Sequence, residues 1–348
     1  MQFMVKALSQ ALLADKLNLA APTVSRALRG HPGINPDTRK RVLAMAEKLG
    51  YNLAPRRPRR DSSKHMALGV LIQSPMGSWA QANYLVGLSS SAARLNVSLI
   101  LHHVVPDECE KILDHAYQPP AMRDGSMKGL CLIYRWPERV VEQLARKFAC
   151  VSIIHRYPNA AIDLIDMDHR GGMLMLAEHL RKLGHKKIGF FGLNDQVSWS
   201  WTRYIGYVEA MLKFGLPLNP DWAIRVPEAN LEDRTQSWNA MTPAAIKLAR
   251  QGVTAWMAAS EWAGHILARA FMEAGLKVPQ DVSVTGFDNT DTSVSLEPRL
   301  TSTSVPVVAM GSEALVRLKN RIEEPDSPIR CNMFFCNLVT KGSTGPAV

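Results

Sequence analysis

The stretch SQALLADKLNLAAPTVSRALRGHPGINPDTRKRVLAMAEKLGY, residues 9–51, carries the most local information in the chain. Ser9 can cap a first helix whose leucines, Leu12, Leu13 and Leu17, recur at helical spacing. Asn18-Leu19-Ala20 breaks that helix. Pro22 then sits where a first-turn proline starts a second helix, which runs to Leu28 and ends at Gly30. Asn35-Pro36-Asp37 supplies a third start: a cap, a proline, and an acid facing the positive helix end. Val42, Leu43, Ala46 and Leu49 form its apolar face, and Gly50 closes it. Two short helices joined by a tight turn and backed by a third describe a helix-turn-helix, in which the second helix enters the DNA major groove. In that helix Val24 and Leu28 face the core, which leaves Thr23, Ser25, Arg26 and Arg29 for phosphates and bases.

The charge distribution agrees. Of 41 Lys+Arg and 31 Asp+Glu in 348 residues, 13 basic and 4 acidic side chains fall in residues 1–64, a net of +9. The remaining 284 residues carry a net of only +1. A solvated helix face does not need such a concentration, whereas a polyanionic partner does. Residues 52–65, NLAPRRPRRDSSKH, are proline-rich and basic, which is linker composition. From Ala67 the pattern changes to short apolar strands (67–72, 97–101, 129–133, 151–154, 187–191, 255–259, 282–287) alternating with helical stretches (82–95, 139–148, 172–183, 201–214, 262–274). That alternation predicts an α/β body with parallel sheets covered on both faces, and it is too long for one small sheet, so two doubly wound subdomains are expected.

Composition and motifs exclude other classes. The 47% hydrophobic content is enough for real cores, and no run of about 18 apolar residues predicts a membrane-spanning helix. Met1–Asp15 does not read as a signal peptide. Five widely spaced cysteines fit reduced thiols in a cytoplasmic protein better than a disulfide framework or a zinc site. There is no G-x-S-x-G, no P-loop and no His/Cys metal cluster, and Gln73-Ser74-Pro75-Met76-Gly77 stands where a dinucleotide-binding G-x-G-x-x-G would follow the first strand. No catalytic residue, metal or cofactor is expected.

At this point the chain resembles a known family, the lac repressor (LacI/GalR) transcriptional regulators. The residues that carry the resemblance are TVSRALRG (23–30), INPDTRKRV (34–42) and LGY (49–51). In the body they are DMDHRGG (166–172), HLRKLGHKKIGFFG (179–192), TRYIGY (202–207), VPQDVSVTGFDN (278–289), PRLTST (298–303) and LVTKGST (338–344). The resemblance implies a helix-turn-helix DNA-binding domain over 1–52, a hinge linker over 53–65, and an effector-binding and dimerisation domain over 66–345. The last has two subdomains of periplasmic-binding-protein type, with the chain crossing between them near 166–170 and 297–303. A cytoplasmic, nucleoid-associated homodimer is implied, which reads a pseudo-palindromic operator, is governed allosterically by a small effector, most often a sugar, and acts as a repressor. The alternative is a DNA-binding regulator of the same fold that has lost small-molecule sensing and answers to a partner or to its own level.

Position by position, the resemblance places Ala21, Pro22 and Arg26 against base edges, and Ser9, Ser25, Arg29, Asn35, Thr38 and Tyr51 against the phosphate backbone. Ala21 and Pro22 lack hydrogen-bonding side chains and suit apolar edges such as thymine methyls. Ala20 stands where relatives cap this helix with serine, a loss that typically costs ~1 kcal/mol. Pro58 disfavours the linker helix that relatives form, and Arg60 falls about where their minor-groove leucine belongs. An extended basic arm with Arg57, Arg59 and Arg60 at the minor groove is expected instead, a disordered tether being the alternative.

In the body, Asp288 matches the family carboxylate that accepts hydrogen bonds from effector hydroxyls, and Arg203 matches its effector-gripping arginine; a strand-end turn residue and a surface ion pair are the plainer readings. Ser260-Glu261 stands where most relatives carry Asn-Asp, and the longer glutamate is expected to reach further into the cleft. His155 replaces a frequent aspartate, which implies a different polarity in the effector. Trp79, Trp199, Trp201, Trp256 and Trp262 lie near expected strand ends, and one or two of them are candidates to stack on a sugar face, with Trp79 and Trp199 counted in the effector set and core packing the plainer role for each.

Overall fold

A computed structural model describes residues 10–28, 30–49, 66–73, 80–195, 197–226, 234–289 and 297–348. The chain divides into two compact units, Met1–Lys64 and His65–Val348.

The first unit holds three helices, α1 (Gln10–Leu17), α2 (Ala21–Leu28) and α3 (Pro36–Lys48). Asn18, with φ of 52°, ends α1 in the left-handed conformation that asparagine tolerates. The Ala20 carbonyl accepts from the N–H groups of Thr23 and Val24, so α2 starts on backbone alone, without a side-chain cap from Ala20. Asn35 caps α3 by accepting from the Asp37 N–H at 2.8 Å. Leu13, Ala14, Leu17, Val24, Ala27, Val42 and Ala46 make the core. Leu28 only packs against its edge; within α2 the buried pair is Val24 and Ala27, three residues apart rather than four.

In the second unit the chain order is β1 (Met66–Gln73), α4 (Ala80–Leu95), β2 (Val97–Val104), α5 (Pro120–Arg123), β3 (Met127–Ile133), α6 (Glu138–Ala145), β4 (Ala149–Ile153) and β5 (Asp163–Met167). It continues with α7 (His169–Lys182), β6 (Ile188–Leu193), α8 (Ser198–Lys213), β7 (Ala223–Arg225), α9 (Arg234–Asn239), α10 (Thr242–Arg250), β8 (Ala255–Ala258), α11 (Glu261–Glu273) and β9 (Ser283–Thr285). The chain closes with β10 (Ser302–Ser304), α12 (Val307–Glu323), β11 (Cys331–Phe334) and β12 (Asn337–Val339).

Two parallel sheets result. One has the order β11-β5-β4-β3-β1-β2, the other β7-β6-β8-β9, and β10 pairs antiparallel with β12. In each sheet the order reverses beside the first strand, at β1/β3 and at β6/β8, which places a crevice at the carboxyl ends of those strands. The body is therefore the α/β arrangement of two doubly wound subdomains expected above. One core cluster, from Leu68 and Ile165 of the first sheet to Ile188, Phe190 and Phe287 of the second, runs through both.

The chain passes between the subdomains three times: at Met167–His169 after β5, at Ser304–Val307 after β10, and at Phe334–Asn337 before β12. These passages lie side by side. The Asp168 N–H donates to the Phe334 carbonyl at 2.8 Å, and β10 pairs with β12. Beyond β12, the Ser343 carbonyl accepts from the Val284 N–H at 2.9 Å, and the Ala347 N–H donates to Leu183 at 2.8 Å, which pins the last residues to the second subdomain.

Candidate functional site

The carboxyl ends of β3, β4, β5 and β9 converge with the first turns of α7, α8 and α11. Three of these strand ends carry non-glycine residues with positive φ: Tyr134 (66°) after β3, Ile154 (72°) after β4 and Asp288 (91°) after β9. A β-branched residue such as Ile154 rarely adopts this conformation, and such strain persists where the surroundings fix it, often at functional sites. The Ile154 N–H is held by the Ile165 carbonyl at 2.8 Å.

Arg203, on α8, is the centre of the arrangement. It is 2% exposed, and all five of its N–H donors have protein acceptors. Nε donates to His169 Nδ1 at 3.1 Å, Nη1 to the Ala259 carbonyl at 2.6 Å and to Asp288 Oδ2 at 3.2 Å, and Nη2 to Asp288 Oδ1 at 2.6 Å and to the Met167 sulfur at 3.6 Å. The guanidinium lies 3.8 Å from the centre of the Phe287 ring and 4.7 Å from that of Trp199, two cation–π contacts. Because His169 Nδ1 accepts from Arg203, Nε2 carries the hydrogen and donates to Asp166 Oδ1 at 3.1 Å. Burial, and then the Arg203 charge, lower the His169 pKa and keep the ring neutral. A continuous chain thus runs Asp288–Arg203–His169–Asp166, from the second subdomain to the end of β5 in the first.

His155 is buried beside this chain. Burial first, and the Arg135 charge second, push its pKa down to about 3, so it too is neutral. The Tyr84 hydroxyl, on α4, is raised well above the ordinary phenol value by burial and then by Asp288. The floor of the cleft therefore offers neutral rings, phenols and two carboxylates.

Ser260 and Glu261 take other roles. The Ser260 hydroxyl caps α11 by accepting from the Ala263 N–H at 3.2 Å. Glu261 is 5% exposed and folds back toward β10, where Oε2 accepts from the Ser302 hydroxyl at 2.5 Å, while its own N–H donates to the Phe287 carbonyl at 2.6 Å. A Cβ on Gly286 would lie 2.3 Å from that Oε2, so the glycine makes room for the carboxylate. Burial raises its pKa to about 7. The expectation that the longer glutamate reaches further into the cleft is corrected: its carboxylate turns back onto Ser302 and the space left by Gly286.

A model of the periplasmic binding protein-like domain matches residues 177–344. Among curated relatives, the NTD biosynthesis operon regulator NtdR of Bacillus subtilis (strain 168) is 26% identical over 315 residues, covering 88% of this chain and 90% of that protein. Among solved structures, a transcriptional regulator CelR–cellobiose complex aligns with a TM-score of 0.68 at 21% identity, over 97% of this chain and 99% of that one. The lac repressor dimer bound to operator and the anti-inducer ONPF aligns with a TM-score of 0.65 at 20% identity, over 98% and 100%. Over nearly its whole length the chain is similar to transcriptional regulators, and it shares the fold of the lac repressor.

The candidates from sequence separate into groups. Arg203, Asp288, His155 and Trp199 are brought to the one cleft, and burial of Arg203 rules out a surface ion pair. Trp199 presents a face to Arg203. Trp256 is fully buried in the second sheet, over Gly189 and against Phe271 at 6.2 Å, so it is core. Trp262 packs edge-on to Trp238 at 5.0 Å, and Trp201 is 42% exposed. In the first unit Ala21, Pro22, Arg26 and Asn35 are exposed, and Thr23, Ser25 and Thr38 are partly so. Ser9, Arg29, Tyr51, Arg57, Arg59, Arg60 and Trp79 lie outside the described residues. Asp166, His169, Tyr84 and Tyr134 were not singled out from the sequence. Asp166 and His169 sit within DMDHRGG at a strand end, a usable signal; Tyr84, inside an amphipathic helix, gave none. Among the described residues no group of His, Cys, Asp and Glu could hold a metal ion, and no helix is long and apolar enough to cross a membrane.

Proposed function

We propose that the chain is a sequence-specific DNA-binding transcriptional regulator, acting as a repressor, whose affinity for a pseudo-palindromic operator is set by a sugar bound between the two body subdomains. The observation that carries this reading is the hydrogen-bonded chain Asp288–Arg203–His169–Asp166, which spans both subdomains at their strand ends. A ligand that touches either carboxylate also touches the contact between subdomains. The reader occupies 1–52, the linker 53–65 and the sensor 66–345; the protein works as a cytoplasmic homodimer, because one helix-turn-helix buries too little surface for tight specific binding. Ala21, Pro22 and Arg26 meet base edges, with Thr23, Ser25, Asn35 and Thr38 on the backbone.

The test is selection of binding sites from random duplex DNA by the full-length chain, followed by fluorescence anisotropy with and without mono- and disaccharides. Enrichment of a pseudo-palindrome, together with a sugar that shifts affinity by roughly 5–150-fold, is the expected result. Failure to enrich any sequence would remove the DNA-reading assignment. A second reading, a regulator without small-molecule sensing, is favoured by the full engagement of Arg203 with protein acceptors. It predicts selective DNA binding that no sugar alters.

A further inference from the structure

We infer that the cleft takes a polyhydroxylated ligand carrying no acidic group, and that it discriminates against sugar acids and sugar phosphates. This rests on the reading of the cleft as the effector site. Recognition of a carboxylate or phosphate inside a protein calls for free, positioned N–H donors, above all an arginine fork. The cleft's buried guanidinium cannot supply one. Two of the Arg203 donors bind Asp288, one binds Ala259, one binds His169 and one faces the Met167 sulfur. The two nearby imidazoles add no positive charge, because burial keeps His155 and His169 neutral. Lys341, on the C-terminal segment, is bound to the Asn289 side chain at 2.6 Å. Arg135, beyond β3, and Arg156, beside His155, are exposed to water, which screens their charge.

What the cleft does present is acceptor capacity. The Asp288 side chain is 27% exposed and that of Asp166 18%. Asp166 uses Oδ1 for His169 and for the Met167 N–H at 2.9 Å, which leaves its second oxygen for a ligand. Hydroxyl groups donate to such oxygens, and an ammonium group would pair with them. An anionic ligand would instead face two carboxylates beside a buried Arg203 that is already satisfied, and that guanidinium could grip it only by breaking away from Asp288.

The experiment uses the full-length chain and a panel of matched sugars: hexoses, pentoses and disaccharides, each with its amino, uronate and phosphate counterpart. Binding is read by calorimetry and by the shift in Tm. For the sugar type that binds, the neutral and amino forms should bind at least tenfold more tightly than the uronate and the phosphate. In an Asp166→Asn variant the preference for the amino form over the neutral one should shrink, with Tm in the absence of ligand checking that the variant is folded. A uronate or phosphate that binds as tightly as its neutral parent overturns the inference and leaves the effector reading standing. Binding by no member of the panel overturns the effector reading, and the inference with it.

Discussion

Glu261 shows how one buried carboxyl converts into a pH dependence. Its pKa in the folded chain is raised from 4.5 to about 7, chiefly by burial, so the folded state holds the proton more tightly than the unfolded one. The stability it contributes is complete below about 4.5 and is lost as pH rises through about 7. Buried histidines act in the opposite direction. His155 and His169 have depressed pKa values, so their contribution is present above about 6.5 and is lost as pH falls. A Glu261→Gln variant keeps an acceptor for Ser302 but cannot ionise. Its Tm relative to the parent should be nearly unchanged at pH 5 and should move in the variant's favour by pH 8; a difference independent of pH would show that Glu261 is ionised throughout. The role of Glu261 was not legible in the sequence, because its direction is set by Gly286, a residue 25 positions away that leaves room only when the strand ends have come together. Arg203 and Asp288 were legible as types at strand and helix ends. That they meet, 85 residues apart, is a fact of topology that no local spacing announces.

At the scale of elements, α4 and α12 pack with their backbones in contact. A Cβ on Gly87 would stand 2.0 Å from the Val308 carbonyl oxygen, and one on Gly311 would stand 2.2 Å from that of Tyr84. Gly87→Ala must force the helices apart, and a loss of about 1–3 kcal/mol in denaturant unfolding is expected. Gly125→Ala, with φ of 73° and open space around it, should cost only the backbone strain, about 1 kcal/mol. The other seam runs through Asp163, which is fully buried and accepts from Arg317 at 3.1 Å, Arg321 at 2.9 Å and the Arg330 N–H at 2.7 Å. It joins β5, α12 and the start of β11. Burial pushes its carboxyl up, but Arg321, the Arg330 N–H and Arg317 together hold it below the ordinary range. Asp163→Asn would strand the buried Arg317 guanidinium and should cost roughly 3–5 kcal/mol; a variant with unchanged unfolding midpoint would contradict this. The same aspartate hid β5 from the sequence reading. Asp-Leu-Ile-Asp-Met does not look like a buried parallel strand unless the two arginines, more than 150 residues downstream, are known to be there. The long apolar strands read well from pattern alone, whereas β7, β10, β11 and β12, of three or four residues each, are too short for periodicity to register.

For the whole molecule, charge and hydrophobic pattern point to different tasks. The net +9 of residues 1–64 against +1 for the rest predicts DNA affinity that falls steeply with salt. Replacing Arg57, Arg59 and Arg60 together by alanine should lower the slope of log affinity against log salt by roughly 2–3. An unchanged affinity and slope would mean that the arm does not touch DNA. The general architecture was legible because alternation of strand and helix repeats over the whole body. The number of passages between subdomains was not, because the third depends on β11 and β12, whose residues carry no pattern of their own.

Those three passages bear on the order in which a ribosome would build the molecule. Neither subdomain is one continuous stretch of chain. The first sheet is completed by β11, and its core by Met310, Ala314, Leu315 and Leu318 of α12, all within the last 40 residues. The three-helix unit at the start is fully synthesised when less than a fifth of the chain has emerged. A nascent chain therefore has a finished α1–α3 unit well before either half of the body can close. Any chain stopped short of residue 331 would carry that unit on a body whose first sheet lacks its outer strand.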